Sequence, residues 1–261
     1  MRLVILAAGQ GTRLRPLTDD RPKCLVELAG RPLLAWQIDA ARRSGIADIV
    51  VVGGYKVEQL RAFDVEVVEN PDFATTNMVR TLFRARALFG DGFVMAYGDI
   101  VYAPHVLEAV IASTEFIAVA TDDAWRSYWE QRFADPLSDA ESLVRDSSGA
   151  IREIGRKTSE IGRIQSQYIG MVAFRGSGVA SLASAYDAAQ ADDLNGRLPF
   201  SGRRSLDQLY VTDLLQGLID RGDRVASVPI LGGWVEVDSV SDLALAERLA
   251  EAGRLDGKGH G

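Results

Sequence analysis

One cysteine, Cys24, stands in 261 residues, so no internal disulfide can form and a reducing compartment is the expected setting. Histidine is nearly as scarce. The two present, His105 and His260, have no Cys, His or carboxylate cluster around them, which argues against zinc. No run approaches the roughly 20 apolar residues that cross a bilayer. The opening MRLVILAAGQG is too short an apolar stretch for a signal peptide. A surplus of positive charge is also missing. Lys and Arg number 29 against 36 Asp and Glu, a net −7, whereas nucleic-acid binders present a basic face. Linkers, repeats and low-complexity tracts are absent too. A cytoplasmic protein with no membrane and no nucleic-acid partner is therefore expected. With 47% hydrophobic and 25% charged residues, it can build a core without a disulfide or metal staple.

What is present is alternation. Apolar strand patterns at 2–6, 48–52, 65–68, 92–97 and 116–120 are separated by helical patterns at 32–44, 57–62, 76–89 and 104–113. Strands that alternate with helices predict an α/β fold with a mainly parallel sheet. The alternation stops after Thr121. Residues 122–141 mix aromatics with charges, and 142–145 and 151–154 flank an SSG turn, which predicts a hairpin. A strand at 167–174, a helix at 206–219 (Leu206, Leu209, Tyr210, Leu214, Leu218), strands at 225–228 and 234–237, and a helix at 240–252 follow. The reading is one domain over 1–253, with a small β-rich lid inserted at about 121–166 and a disordered tail over 254–261.

The first strand runs into LAAGQGTRLRPLTDDRPKCL, residues 6–25, where an acidic chain gathers Arg13, Arg15, Arg21 and Lys23 beside two glycines. Glycine lets backbone N–H groups approach an anion, and cations neutralise it. Two familiar phosphate loops do not fit. Gly9 and Gly11 are too close for a P-loop and no Gly-Lys follows. A dinucleotide fingerprint would need glycine where Leu14 stands.

The stretch as a whole resembles the signature of the sugar-1-phosphate nucleotidylyltransferase superfamily, roughly L-A-A-G-x-G-T/S-R-L-x-P-L-T and then P-K, with every position filled. The resemblance covers about residues 1–250 and implies a Rossmann-like nucleotidyltransferase domain. It implies that the backbone of Leu6, Ala7, Ala8 and Gly9 holds the nucleobase and that the Gly11 and Thr12 amides hold the triphosphate. Arg13 would bind the phosphates that leave as pyrophosphate, and Lys23 would bridge the α-phosphate and the attacking phosphate. Both are read as side chains on a solvated loop, whose loss should cost rate far more than stability. Arg15 and Arg21 are explained equally well as surface charges. Cys24 is read as a small buried residue rather than a nucleophile.

A transfer of this kind uses a divalent ion, usually Mg²⁺. Asp99, after the strand at 92–97, and Asp238, in WVEVDSVSDL, match the family's metal-binding aspartates. Ser239 with Asp242 can cap the last helix, which leaves Asp238 free for the crevice.

The GGY at 53–55 also matches the family, and a base contact and a structural place for Tyr55 are equally open. ATTNMVRTL at 74–82 resembles the narrower group of cytidylyltransferases that activate phosphocholine and related small phosphates. There Asn77 either reads a base edge of the nucleotide or an acceptor group, or caps a helix. The same resemblance implies that Lys157, Gln167 and Tyr168 face the acceptor, with Lys157 on its phosphate. Trp125, Tyr128 and Trp129 form an aromatic cluster with two readings: a cage, centred on Trp129, for a cationic headgroup, or a small core pinning the lid. Arg126 and Arg132 would instead suit an acceptor bearing a carboxylate.

The expectation is an Mg²⁺-dependent nucleotidylyltransferase with CTP favoured as donor, a small phosphorylated acceptor, and a homodimer possible. The alternatives are a sugar-1-phosphate enzyme using dTTP, UTP or GTP, a GT-A glycosyltransferase, or a non-catalytic nucleotide sensor.

Overall fold

The computed structural model describes residues 1–200 and 202–255. In chain order it begins with β1 (Arg2–Ala7), β2 (Glu27–Leu28), β3 (Arg31–Pro32), α1 (Leu33–Arg43), β4 (Ile49–Gly53), β5 (Glu66–Glu69) and α2 (Met78–Arg84). Then come β6 (Gly92–Tyr97), β7 (Ile100–Tyr102), α3 (Pro104–Ala112), β8 (Ile117–Asp122), α4 (Trp125–Arg132), β9 (Glu141–Arg145) and β10 (Ile151–Lys157). The chain continues with β11 (Gln167–Arg175), α5 (Ser177–Leu194), α6 (Val211–Asp220), β12 (Ala226–Ile230), β13 (Trp234–Glu236) and α7 (Val240–Glu251).

Seven strands make one sheet in the order β12–β8–β11–β6–β1–β4–β5. All neighbours are parallel except β11, which runs antiparallel to both β6 and β8. The expected α/β class with a mainly parallel sheet flanked by helices is thus what forms. The unbroken apolar run of β1 has a simple cause: Leu3, Ile5 and Ala7 enter one core while Val4 and Leu6 enter the other. A strand covered on both faces needs no polar alternation.

The expected helix over 76–89 is α2 followed by a 3-10 turn at Arg86–Leu88, and two further departures from the sequence pattern shape the packing. The expected helix over 206–219 begins only at Val211. The segment before it is a single 3-10 turn, Leu206–Gln208, set against α2, with Asn77 N donating to Asp207 O at 2.7 Å and Val79 N to Leu209 O at 3.4 Å. Asp213 then starts α6 by accepting the Tyr210 N–H at 3.0 Å. The second departure is α5, an 18-residue helix to which the sequence reading assigned no element. Its buried Leu182, Ala185, Tyr186 and Ala189 carry the helical spacing, but alanine and serine dilute the signal.

The hairpin forms, with β10 running three residues further than expected, to Lys157. Asp146 closes its turn by accepting from Ser148 N at 2.8 Å and Ala150 N at 3.2 Å. The aromatic cluster is helix α4, so this region is not purely β. Trp125, Tyr128 and Trp129 are buried; Trp129 meets Trp125 and Tyr128 edge to face, and Tyr128 meets Trp234 in the same way. Arg132 lies 5.4 Å from both the Tyr128 and the Trp129 ring centroids. The cation on these rings is the protein's own, and the three aromatics are buried in the core. Arg132 is only 2% exposed and donates to Glu236 at 2.6 Å and to Asp242 at 2.9 Å. Arg126 is exposed and pairs with Glu130, so neither arginine is free for an acceptor carboxylate. Arg254 and Leu255, placed in the tail above, are described, and Leu255 is buried. The rest of that tail lies outside the described residues.

Removing Arg132 strands two carboxylates in a buried setting, which typically costs 3–5 kcal/mol. Arg132→Met is expected to lose roughly that much in urea unfolding. A loss below about 1 kcal/mol would mean that aromatic packing alone holds α4.

Candidate functional site

The glycine loop is built for close approach. Gly11 has φ +67°, and a Cβ there would lie 2.8 Å from Lys23 Cβ. A side chain at this position would push Lys23 aside. Thr18 Oγ1 and Leu14 N both donate to Gly11 O, at 2.8 and 2.9 Å. Further along, Tyr55 Oη donates to Asp19 O at 2.8 Å and Gln59 Nε2 to Asp20 O at 2.7 Å, bracing the loop from outside. Among the described residues the N–H groups of Gly11 and Thr12 meet no protein acceptor.

The carboxylates arrive by strand pairing. β7 and β13 pair antiparallel, with Ile100 opposite Glu236, and Val237 N donates to Asp99 O at 2.9 Å. This brings the turn after β6 beside the turn after β13. Gly98 makes the first turn possible, because a Cβ there would lie 2.8 Å from Leu6 O. In the second turn Ser239 and Asp242 form the capping box: Asp242 N donates to Ser239 Oγ at 3.2 Å, and Ser239 N to Asp242 Oδ2 at 3.0 Å. Asp238 is thereby released from capping.

Lys23 meets both aspartates. Its Nζ donates to Asp99 Oδ2 at 2.7 Å and to Asp238 Oδ1. Arg13 pairs with the other Asp238 oxygen. The Lys23 side chain is 13% exposed and that of Arg13 is 70% exposed. The solvated-loop reading therefore holds for Arg13 and is corrected for Lys23. Burial alone would lower the Lys23 ammonium, but Asp99 and Asp238 outweigh it, and the net direction is up. Arg15 and Arg21 pair with Asp19 and Asp20 on the surface.

A third carboxylate joins the cluster. Oxygens of Asp99, Glu236 and Asp238 all lie within 4.8 Å of one another. Burial pushes the Glu236 carboxyl up to about 7, with Arg132 opposing and Asp99 and Asp238 adding to the rise. Asp99 Oδ1 is buried and finds no donor among the described residues. A buried carboxylate oxygen without a partner is costly, and a hard cation satisfies it. These residues therefore suit a divalent ion. Glu236 was missed in the sequence, although its signal is there: along an extended strand, residues two apart face the same side.

Two cavities adjoin here. The first, about 280 Å³, is lined by Leu6, Ala7, Ala8, Gly9, Gly11, Thr12, Arg13, Lys23, Asn77, Asp99 and Asp238, among others. The second, about 230 Å³, takes in Trp129, Lys157, Gln167 and Tyr168. Met78 and Tyr97 line both, and Glu236 lines the second while reaching the cluster of the first. Tyr55 lines neither, and its hydroxyl is held by Asp19 O. Asn77 caps α2, its Oδ1 accepting from Met78 N at 2.8 Å, and also lines the first cavity. Trp129 reaches the second cavity, but its Nε1 donates to Asp139 Oδ2 at 3.0 Å and its ring lies in the aromatic core. Cys24 is buried, and burial pushes its thiol up to about 12, the wrong direction for a nucleophile. Among the described residues no helix is long and apolar enough to cross a membrane.

Residues 3–158 match the family described as MobA-like NTP transferase domain. The chain is 35% identical over 254 residues to the CTP:phosphoglutamine cytidylyltransferase of Campylobacter jejuni, spanning 93% of this chain and 98% of that protein. It is 30% identical over 155 residues to the choline-phosphate cytidylyltransferase of Streptococcus pneumoniae, spanning 58% of this chain and 67% of the relative. The solved structure of CTP:phosphocholine cytidylyltransferase from Streptococcus pneumoniae superposes with a TM-score of 0.75 at 22% identity, over 95% of this chain and 98% of that one. At that identity the likeness speaks for the fold alone.

With Lys23 removed, Asp99 and Asp238 face each other without their shared cation. Lys23→Ala is expected to lose about 3 kcal/mol in metal-free buffer, and millimolar Mg²⁺ should return part of the loss. Thermal unfolding with and without chelator checks this. Stability equal to wild type in chelator would mean that the ion pairs contribute nothing to the fold.

Proposed function

This chain belongs to the MobA-like NTP transferase family and is a nucleotidyltransferase; from that premise we propose that its donor is CTP, its metal Mg²⁺ and its acceptor a small phosphorylated molecule. The observation that carries the reading is the meeting of Arg13 and Lys23 with Asp99 and Asp238 in one cavity beside the glycine loop. CTP is favoured because both relatives described above are cytidylyltransferases by name.

In this reading the donor lies along the first cavity, with its base over residues 6–9 and its triphosphate on the unpartnered Gly11 and Thr12 amides. An oxygen of the acceptor phosphate attacks the α-phosphorus. One P–O bond forms, the bond to the β-phosphate breaks, and pyrophosphate leaves with the electron pair. Negative charge spreads over the oxygens at phosphorus, and fixed cations stabilise it. Arg13, solvent-facing at the loop tip, serves the leaving pyrophosphate. Lys23 holds the α-phosphate and the incoming phosphate together once it turns from the carboxylates. Asp99, Asp238 and Glu236 would hold Mg²⁺, which when bound neutralises the triphosphate and orients it for in-line attack. The acceptor occupies the second cavity, whose junction with the first carries Met78, Tyr97 and Glu236.

The test is pyrophosphate release from each of the nucleoside triphosphates with Mg²⁺ and a panel of phosphorylated acceptors. CTP is expected to give the highest kcat/KM. Arg13→Ala and Asp99→Asn should each lower kcat by about 100-fold or more. Preference for UTP or dTTP would move the donor to the sugar-nucleotide class. Wild-type turnover by Asp99→Asn would remove the metal role.

A further inference from the structure

One wall of the first cavity comes from the segment 73–81, through Phe73, Thr76, Asn77, Met78 and Thr81. Gly54 fixes where this wall begins. A Cβ there would lie 2.4 Å from Phe73 Cβ and 2.9 Å from Ala8 O, so the wall starts beside the stretch proposed to carry the base.

Asn70 holds the wall in place. It is fully buried, and its side-chain amide is bonded at both ends. Its Oδ1 accepts from Asp72 N and from Arg84 Nε, each at 3.2 Å. Both partners can only donate, so the amide cannot be turned round. Its Nδ2 donates to Thr76 Oγ1 at 3.0 Å and to Thr81 Oγ1 at 3.1 Å. Each hydroxyl then gives its proton to a carbonyl, Thr76 to Asp72 O at 2.8 Å and Thr81 to Asn77 O at 3.2 Å. What either oxygen has left is a lone pair. Asn77 is locked in the opposite sense. Its Oδ1 accepts from Met78 N at 2.8 Å, and a turned amide would set its own N–H groups against that N–H. Its Nδ2 makes no hydrogen bond among the described residues and is left as a donor. The wall thus offers a fixed donor beside two acceptors.

Cytosine and uracil differ at two adjoining positions of one edge. Cytosine carries an amino donor at C4 and an acceptor at N3, whereas uracil carries an oxygen acceptor at C4 and an N–H donor at N3. A donor beside acceptors matches cytosine at both positions and uracil at neither. The two kinds of group are not equally strict. A hydroxyl can swing its proton to a uracil oxygen and give up one hydrogen bond. The Asn77 amide has no such freedom, because Met78 N decides which end faces the cavity. Resting on the nucleotidyl-transfer reading above, with the base in the first cavity, we propose that Asn77 Nδ2 donates to N3 of the base and selects cytosine over uracil. The Thr76 and Thr81 oxygens accept from the 4-amino group. No N–H group of α2 takes part. Asn70 touches no substrate and is a positioning residue for the two threonines.

The experiment measures binding of CTP and of UTP to the full chain by calorimetry with Mg²⁺, which requires no choice of acceptor. Wild type is expected to bind CTP more tightly than UTP by about 30-fold or more. Asn77→Asp is the decisive variant. Aspartate caps a helix as well as asparagine does, but its free oxygen accepts where the amide donated. This variant should unfold near the wild-type temperature, narrow the CTP preference by about tenfold or more, and bind UTP more tightly than wild type does. Asn77→Ser keeps a cap and lacks the donor, and should lose affinity for CTP with no gain for UTP. Equal weakening of both nucleotides in Asn77→Asp, as a merely disturbed wall would give, or an unmoved ratio, would overturn the inference while leaving nucleotidyl transfer intact. Wild-type protein that binds neither nucleotide would instead overturn the reading on which it rests.

Discussion

The ammonium of Lys23, held between Asp99 and Asp238, is the interaction around which the site is organised. Three separate turns must deliver it: the loop after β1, the turn after β6 and the turn after β13. Each arrival has its own device. Gly11 lets the Lys23 stem pass, Gly98 lets the Asp99 turn sit against the end of β1, and the β7–β13 ladder sets Asp238 alongside. The pairs are partly buried, so neither carboxylate can be left without a cation at low cost. A cation of some kind is thus a permanent requirement of this point in the fold. In the structure the protein supplies it. In the proposed reaction the requirement passes to a divalent ion, and Lys23 is released to phosphate.

The same logic extends outward through Glu236. It belongs to the carboxylate cluster, lines the second cavity, and is tied by Arg132 to helix α4. Arg132 also grips Asp242, whose other oxygen closes the cap that frees Asp238. The aromatic core of α4 therefore bears on the nucleotide side of the cleft through the buried Arg132 guanidinium and through the Tyr128 hydroxyl, which accepts from Glu236 N at 2.9 Å. This explains why so much aromatic surface is spent on a short helix outside the main sheet. The hairpin has the complementary task of carrying Glu141 and Lys157 to the cavity wall.

Legibility in the sequence follows how local each cause is. The strand β1, the glycine loop and the Ser239–Asp242 box depend on neighbours within a few residues, and all could be read directly. Both candidate aspartates and both loop cations were named in sequence and share one cavity in the structure. What stayed hidden depends on distant partners. The environment of Lys23 was misjudged because its burial comes from residues 76 and 215 positions away. Helix α6 starts late because residues 206–210 answer to α2 rather than to their own periodicity. The aromatics could be read as a cage or as a core, and the guanidinium of Arg132 against them is visible only in three dimensions.

The central claim is that Lys23 and a divalent ion exchange places between Asp99 and Asp238 when nucleotide binds. A crystal structure with Mn²⁺ and a non-hydrolysable CTP analogue, with anomalous diffraction locating the manganese, tests it most directly. The account predicts an anomalous peak coordinated by Asp99 and Asp238, with Lys23 Nζ moved onto the α-phosphate. Lys23 still bridging the two aspartates, with the manganese bound elsewhere on the triphosphate, would contradict it.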